Sequence, residues 1–374
     1  MKIGIVCYPT YGGSGVVATE LGRLLASKGH EIHFICYNLP VRLKSLKSEG
    51  ITFHPVDVVS YPLFKFPPYT LALASKIVEV IQKYGLEIIH VHYAIPHTMA
   101  AYLALKMLRD YPARIVTTLH GTDISLIGMD PSYKNITRFS MESSHGITAV
   151  SYYLADVAKV EFEFNRPIKV IYNFVDTQKF EKKKRIVKRE KYCANDEKII
   201  THISNFRTVK RIPDVLEVFR NIQFKAPSIL LMVGDGPETA TAKRLTREMG
   251  LSAKVHFLKF VDSVQDILNI TDVYLLPSEI ESFGLTALEA MSCEVPVVAY
   301  RVGGLPEVIE DGACGFLVDK GDIESMAHSA LMILKDDNLR RRLGERGRFL
   351  SVHHFSEQEK VAEYESYYQQ VLYK

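Results

Sequence analysis

Short apolar runs alternate with helical patterns through the first half of this chain, and then the alternation starts again. Lys2–Cys7, Glu31–Cys36, Ile88–His92, Arg114–Leu119 and Gly146–Val150 read as strands, with helical patterns over Val16–Lys28, Leu71–Tyr84 and Thr98–Arg109. In the second half Lys198–Ile203, Ser228–Val233, Lys254–Phe257, Val273–Leu276 and Val295–Ala299 read as strands. Helical patterns lie over Ile212–Asn221, Ala240–Met249, Val264–Ile270 and Leu285–Ser292. Strand and helix alternating at this spacing implies an α/β fold, a mostly parallel sheet with helices on both faces. A chain of 374 residues is too long for one ordinary core of this kind. Two doubly wound domains are therefore expected, 1–176 and 177–356, with a terminal helix at Glu357–Tyr373 and a ligand cleft between them. Open sheets of this class bind ligands beyond the carboxyl ends of their strands.

Composition narrows the function by exclusion. A formal net charge of +3, from 46 basic and 43 acidic residues, gives no general case for nucleic acid or membrane binding. One basic run, Lys182-Lys183-Lys184-Arg185 followed by Lys188-Arg189, is read as a solvated linker face, because no aromatics interleave with it. The cysteines Cys7, Cys36, Cys193, Cys293 and Cys314 form no CxxC pair and read as reduced thiols. No apolar run approaches the roughly 18 residues that span a bilayer, and the N-terminus has no secretory pattern. A cytoplasmic protein is expected, and nothing forbids a homo-oligomer.

Five motifs carry chemistry. Gly12-Gly13-Ser14-Gly15 falls between the first strand and a helix. Glycines let a backbone approach a phosphate, and a helix start offers free N–H donors. Gly13-x-Gly15-x-x-Ala18 formally fits a dinucleotide fingerprint. Against a dehydrogenase stand the long Tyr8–Gly12 loop and the second strand's Cys36-Tyr37-Asn38 ending, which has no acid for an adenosine ribose. A tight turn without ligand is the plain alternative. Ser204-Asn205-Phe206-Arg207-x-x-Lys210-Arg211 sets two or three cations on one strand-end loop, able to bind a pyrophosphate or merely to face water. Val233-Gly234-Asp235-Gly236-Pro237 is either a second close-approach loop or a plain turn.

The fourth motif runs Ser278-Glu279-Ile280-Glu281-Ser282-Phe283-Gly284-Leu285-x-x-x-Glu289-Ala290. Ser282 reads as an N-cap, so that the amides of Phe283, Gly284 and Leu285 form an anion-binding helix start. Glu281 sits just outside it, and Glu289 about two turns along, roughly 12 Å further in a regular helix. A phosphate at the start then has a sugar on one side and a ribose on the other, with carboxylates as hydroxyl acceptors. The fifth, Thr117-Thr118-Leu119-His120-Gly121-Thr122-Asp123, offers His120 to a sugar hydroxyl or as a structural histidine. His90, His92 and His97 raise a zinc question, but no carboxylate or cysteine stands at ligand spacing. No Asp-x-Asp pair occurs, so no metal is expected and cations neutralise the diphosphate instead.

Together, and in this order, the glycine loop, His-Gly-Thr, Arg-x-x-Lys, Gly-Asp-Gly-Pro and Glu-x7-Glu resemble the retaining glycosyltransferases of family four, over nearly the whole chain. The resemblance implies the GT-B fold of two Rossmann-like domains, with the C-terminal helix crossing back to the first. Cys7-Tyr8-Pro9-Thr10-Tyr11-Gly12-Gly13-Ser14-Gly15, His92-Tyr93-Ala94-Ile95-Pro96-His97, Thr117–Asp123 and Ser204-Asn205-Phe206-Arg207 are similar to one subgroup. That subgroup moves N-acetylglucosamine from UDP-GlcNAc to the hydroxyl of L-malate at the start of bacillithiol biosynthesis. What it implies here is a UDP-sugar-dependent hexosyltransferase with two small-molecule substrates and no cofactor. His120, Arg207, Lys210 and Glu281 are then catalytic. Gly13, Ser14, Gly15, Asn205, Gly234, Ser282, Phe283, Gly284, Leu285 and Glu289 bind the donor, and Ser14, Tyr93, Thr118 and Arg138 the acceptor. The Arg-to-Lys interval is shorter than in much of the family, which leaves both Lys210 and Arg211 as second phosphate ligand. Glu294 stands where a glycine is usual. Another small or lipid acceptor, a sugar-nucleotide epimerase on the same fold and a non-catalytic sensor are the rival readings.

Overall fold

The computed structural model describes all residues except Tyr11, 41–42, 44–49, Asp110, 184–188, 194–196, Phe260 and Asp262. Tyr11 of the glycine loop, and Lys184, Arg185 and Lys188 of the basic run, therefore lie outside the described residues. The chain divides into two compact units, Met1–Asn173 with Gln358–Lys374, and Phe174–Glu357.

The first unit runs β1 (Lys2–Val6), α1 (Gly13–Ser27), β2 (Glu31–Cys36), β3 (Ile51–Pro55), α2 (Tyr69–Tyr84), β4 (Ile88–His92), α3 (Met99–Met107), β5 (Arg114–Leu119), α4 (Pro131–Glu142), β6 (Gly146–Ala149), α5 (Tyr152–Glu161) and β7 (Lys169–Val170). Its strands are parallel in the order β3-β2-β1-β4-β5-β6-β7. The sequence reading passed over β3 and β7. β3 is only half-buried and β7 has two residues, so neither has the continuous apolar run of a central strand. Against one face pack Leu73, Ile77 and Ile81 of α2 and Ala100 and Ala104 of α3. Each fully buried large aliphatic chain there is worth about 1.5–3 kcal/mol.

The second unit runs β8 (Lys198–Ile203), α6 (Ile212–Gln223), β9 (Ser228–Val233), α7 (Thr239–Glu248), β10 (Val255–Leu258), α8 (Val264–Leu268), β11 (Val273–Leu276), α9 (Leu285–Ser292), β12 (Val297–Tyr300), α10 (Leu305–Val308), β13 (Gly315–Val318), α11 (Ile323–Lys335) and α12 (Asp337–His354). Its parallel order is β10-β9-β8-β11-β12-β13. Both sheets reverse their winding beside the first strand of the unit, at β1/β4 and at β8/β11. Those are the switch points at which doubly wound sheets hold ligands.

The last helix, α13 (Glu357–Leu372), has most of its length in the first unit. Tyr364 and Tyr368 are buried, and the Tyr368 hydroxyl lies 2.7 Å from His90 Nδ1. Tyr367 accepts from Ile147 N at 2.9 Å and donates to Ile147 O at 3.0 Å. Gly146 leaves room for this helix, since a Cβ there would lie 2.6 Å from Val371. In the basic run Lys182 pairs with Glu294, while Arg189 is folded in, donating to Ile270 O, Glu197 O and Asp272 Oδ2. Among the described residues no helix is long and apolar enough to cross a membrane.

Candidate active site

In the first unit the site is built from the loops that follow β1, β4 and β5. Helix α1 starts at Gly13, three residues before the expected Val16, because its N-cap is Gly12. Gly12 has no side chain to cap the helix, and no acid lies in the first turn, so this turn keeps the amides and dipole end that favour an anion. Gly15 is not held open for a ligand. Its Cβ would lie 2.6 Å from Thr10 O and 2.7 Å from Tyr8 O, so its close approach is to the loop's own backbone. Gly13 is exposed, and Ser14 is half-buried with its hydroxyl 2.6 Å from that of Tyr93.

Tyr93 holds a φ of 91°, a left-handed backbone that turns its ring out of β4. The ring packs near Tyr8 and His120, with centroids at 5.4 and 5.2 Å. Asp123 pins the loops together. Its buried carboxylate accepts from Ala94 N at 2.8 Å, Gly121 N at 3.1 Å and His120 N at 3.2 Å. Burial raises the Asp123 carboxyl to about 6, against the pull of these amides. In sequence Asp123 closes the His-Gly-Thr motif with no role of its own. An Asp three residues after a strand-end histidine, within reach of the preceding amides, was the available signal.

Four histidines converge here. His92 Nδ1 lies 2.8 Å from His120 Nε2, His97 Nδ1 lies 2.6 Å from His92 O, and the His90 and His92 rings are 4.3 Å apart. Desolvation brings His90 and His120 down to about 3 and His97 to about 4, and pushes His92 well below its usual value, so the group is uncharged at neutral pH. Among the described residues no group of three or more His, Cys, Asp or Glu is placed to hold a metal ion.

Two expected acceptor residues lie elsewhere. Thr118 is fully buried, its hydroxyl engaged with His90 Nε2 at 2.7 Å and Thr148 Oγ1 at 2.6 Å. Thr118 shares the face of β5 that leads to His120, but both of its hydroxyl contacts are internal to the packed sheet. Arg138 is exposed on α4 and bonded at 3.0 Å to both Glu142 and Glu163 in a surface ion-pair cluster.

In the second unit the loops after β8, β9, β11 and β12 meet. His202, near the end of β8, donates from Nδ1 to Leu275 O at 3.0 Å, so its Nε2 accepts from Ser204 Oγ at 2.8 Å. Ser204 in turn accepts from Phe206 N at 3.2 Å. Phe206, at φ 39°, drops its ring into the core, and its neighbours Asn205 and Arg207 are left exposed. Among the described residues the Arg207 side chain makes no hydrogen bond or ion pair, while its carbonyl accepts from Lys210 N at 2.8 Å. Glycines 234 and 236 serve this loop, because a Cβ on either would lie 1.9 Å from Ser204 O or Asn205 O respectively.

Lys210 Nζ is 2.6 Å from Glu281 Oε2, and both are largely shielded. Arg211, at φ 52°, forks onto Asp214 at 3.1 Å, and Asp214 also takes the Tyr300 hydroxyl at 2.8 Å. Of the two cations, Lys210 is therefore the one joined to the glutamate motif. Ser282 is not the N-cap of α9. Gly284 is, at φ 99°, so the first-turn amides begin at Leu285 and not at Phe283. Phe283 is buried against Phe355 at 5.8 Å. Glu289 is buried one turn into α9. Gly303 and Gly304, which sequence reasoning missed, close on Glu281. Gly304 N donates to its carbonyl at 2.9 Å, and a Cβ on Gly303 would lie 1.9 Å from that oxygen. A Gly-Gly pair between strand and helix was the visible signal.

Comparison with known proteins completes the picture. Residues 11–179 match Glycosyltransferase Family 4, and residues 183–349 match Glycosyl transferases group 1. A relative from Bacillus anthracis, N-acetyl-alpha-D-glucosaminyl L-malate synthase, is 48% identical over 373 residues, covering 100% of this chain and 97% of that one. Among solved structures, the sucrose-phosphate synthase of Thermosynechococcus elongatus has a TM-score of 0.82 at 21% identity, covering 99% of both chains. Anabaena HepE in complex with UDP and glucose has a TM-score of 0.78 at 18% identity, covering 98% of both. With two parallel-sheet units, strand-end loops that carry cations and paired glutamates, and this full-length likeness, the chain belongs to the family-4 glycosyltransferases of GT-B fold and is a sugar-transferring enzyme.

Proposed function

We propose that this enzyme moves N-acetylglucosamine from UDP-GlcNAc to the hydroxyl of L-malate with retention of the α configuration, in the cytoplasm, as the first step of bacillithiol biosynthesis. The observation that carries this is the 48% identity along the whole chain to a relative named as an N-acetyl-alpha-D-glucosaminyl L-malate synthase.

The charge layout supports a donor held on the second unit. Arg207, exposed and without a protein partner among the described residues, and Lys210 meet the diphosphate as negative charge develops on it. A phosphate oxygen replaces Glu281 at the Lys210 ammonium, and the freed Glu281 carboxylate accepts from sugar hydroxyls. The first-turn amides of α9 take a further phosphate oxygen, and Glu289 holds the ribose hydroxyls. On the first unit, the Ser14 and Tyr93 hydroxyls and the first turn of α1 supply donors for a malate carboxylate, with His120 beside them. Thr118 and Arg138 have no part in this arrangement. No enzymic nucleophile is required. The leaving phosphate takes the acceptor's proton on the same face, and the protein positions and stabilises. The absence of an Asp-x-Asp pair together with the Arg207–Lys210 cations supports turnover without a metal.

Mass spectrometry of products from a panel of UDP-sugars against hydroxy acids and inositol phosphates, run with and without chelator, tests the reading. Glycosylated malate from UDP-GlcNAc in both arms is expected. A better product with an inositol phosphate overturns the acceptor, and loss of turnover with chelator that Mg²⁺ or Mn²⁺ restores overturns the metal-free reading.

A further inference from the structure

The histidine group beside β4 and β5 has a hydrogen-bond inventory that decides where one proton sits. His97 Nδ1 lies 2.6 Å from the carbonyl of His92, an acceptor only, so His97 carries its proton on Nδ1. Its Nε2 is then a bare lone pair, and it is buried with no partner. His92 poses the same question. Its Nδ1 faces His120 Nε2 at 2.8 Å, and its own Nε2 is buried with no partner.

Two arrangements satisfy the His92–His120 contact. If His120 donates from Nε2, His92 must accept at Nδ1 and carry its proton on Nε2, as a buried N–H with nothing to bond. If His92 donates from Nδ1, the orphan at His92 Nε2 is a lone pair. Buried N–H groups without a partner are much rarer in proteins than under-used acceptors, and leaving a donor unsatisfied costs its full desolvation. The second arrangement is therefore favoured. It leaves His120 Nε2 as acceptor and places the His120 proton on Nδ1. That nitrogen has no hydrogen-bond partner among the described residues, and the residue is partly exposed. Desolvation, which keeps these rings uncharged, means that each ring carries one proton and the choice is real.

We propose that His92 is a positioning residue that locks His120 in the Nδ1–H tautomer, so that His120 presents a single N–H donor to an oxygen of the bound substrate. The tautomer itself is a property of the free protein. Its use on substrate rests on the reading that His120 faces the reacting sugar or acceptor. The ordinary preference of a free imidazole is the opposite tautomer, so loss of His92 releases His120 to present a lone pair where a donor is needed.

The test uses protein labelled with ¹⁵N at histidine, with His120 assigned by the signals lost in His120→Gln. Two-bond ¹H–¹⁵N spectra at neutral pH report directly which ring nitrogen is protonated. In the parent, His120 is expected to show a protonated Nδ1 and a bare Nε2. His92→Phe removes the donor, and His92→Asn supplies an amide N–H near the place of Nδ1. His92→Phe is expected to shift His120 toward the Nε2–H form and to lower kcat about tenfold or more, with KM for malate and donor changed far less. His92→Asn is expected to recover most of the loss and the parent spectrum. A protonated His120 Nε2 in the parent overturns the tautomer assignment whatever the kinetics. A protonated Nδ1 that switches in His92→Phe with kcat unchanged overturns the role on substrate and, with it, the placing of His120 at the reacting groups. If His92→Phe does not fold, the parent spectrum and the kinetics of His92→Asn, which fall toward those of His120→Gln only if the donor geometry fails, still decide.

Discussion

At the scale of single residues, the second unit separates three cations that look alike in sequence. Arg207 is exposed and unpartnered among the described residues, Lys210 is joined to Glu281, and Arg211 is joined to Asp214. Arg207→Ala is expected to lower kcat by about 30- to 1000-fold, the loss of one charge-assisted contact made mainly in the transition state, about 2–4 kcal/mol. Lys210→Ala follows the same direction. Arg211→Ala is expected to leave kcat within a few-fold but to lower stability by about 1–3 kcal/mol, because it leaves the buried Asp214 carboxylate with fewer partners. Steady-state kinetics with thermal melts on the three variants check the ranking, and a kcat loss in Arg211→Ala as large as in Lys210→Ala refutes it. Glu294 gives a second prediction. It sits at φ 58° just after α9, a left-handed position that glycine usually fills where helices end this way. Glu294→Gly relieves a strain of about 1 kcal/mol, and its exposed partner Lys182 gives little in return. A rise in the melting temperature of about 2–4 °C with unchanged activity is expected in calorimetry.

At the scale of elements, the glycines act between loops. Gly15 lies under Tyr8 and Thr10, Gly234 and Gly236 lie under Ser204 and Asn205, and Gly303 lies under Glu281. At Gly234, Gly236 and Gly303 a strand-end loop crosses its neighbour backbone to backbone, at Gly15 the loop folds onto its own helix start, and each close approach sets where the exposed chemistry projects. Gly236→Ala isolates the effect. A methyl group 1.9 Å from the Asn205 carbonyl must push the Asn205–Arg207 loop outward. The expected cost is about 1–3 kcal/mol of stability from overpacking, with a raised KM for the donor and little change in KM for the acceptor. Unchanged donor kinetics together with an unchanged melt contradict this account. In sequence Gly15, Gly234 and Gly236 read either as openings for a ligand or as plain turns, and Gly303 went unread, since glycine at a strand end has the same appearance whether the approaching backbone belongs to a substrate or to the protein itself.

At the scale of the whole molecule, buried histidines make stability depend on pH. His90, His97 and His120 in the first unit lie at about 3 to 4, with His92 also well below its ordinary value, whereas the second unit has His202 at about 4. Their unfolded counterparts titrate near 6.5, so the unfolded chain binds more protons in between. The stability tied to keeping them neutral is complete above about pH 6.5 and is lost as pH falls toward 4. At pH 5 each independent group accounts for about 2 kcal/mol, less where neighbours are coupled. Asp123, raised to about 6, acts in the opposite direction, its contribution present at low pH and lost as pH rises through 6. The histidines outnumber it. Calorimetry at pH 7.5 and 5 is expected to show the first unit losing stability well ahead of the second, and superimposable traces at the two pH values refute the claim.

Much was legible in sequence because it is local. Alternation of apolar runs and helical patterns follows from the burial of parallel strands on both faces, and it fixed the α/β class and most elements within a residue or two. The motifs at the ends of β1, β5, β8 and β11 were likewise visible, since glycines, cations and carboxylates after a strand are read directly, and together they pointed to the family. Partners were not legible. Lys210 finds Glu281 and Arg211 finds Asp214, His92 meets His120, and Thr118 turns inward to His90 and Thr148. Ser282 yields its cap position to Gly284. Most of these outcomes depend on which strands lie side by side, with β1 next to β4 and β8 next to β11. Sheet order is settled by packing a whole layer of helices and strands at once, and no stretch of sequence carries it alone.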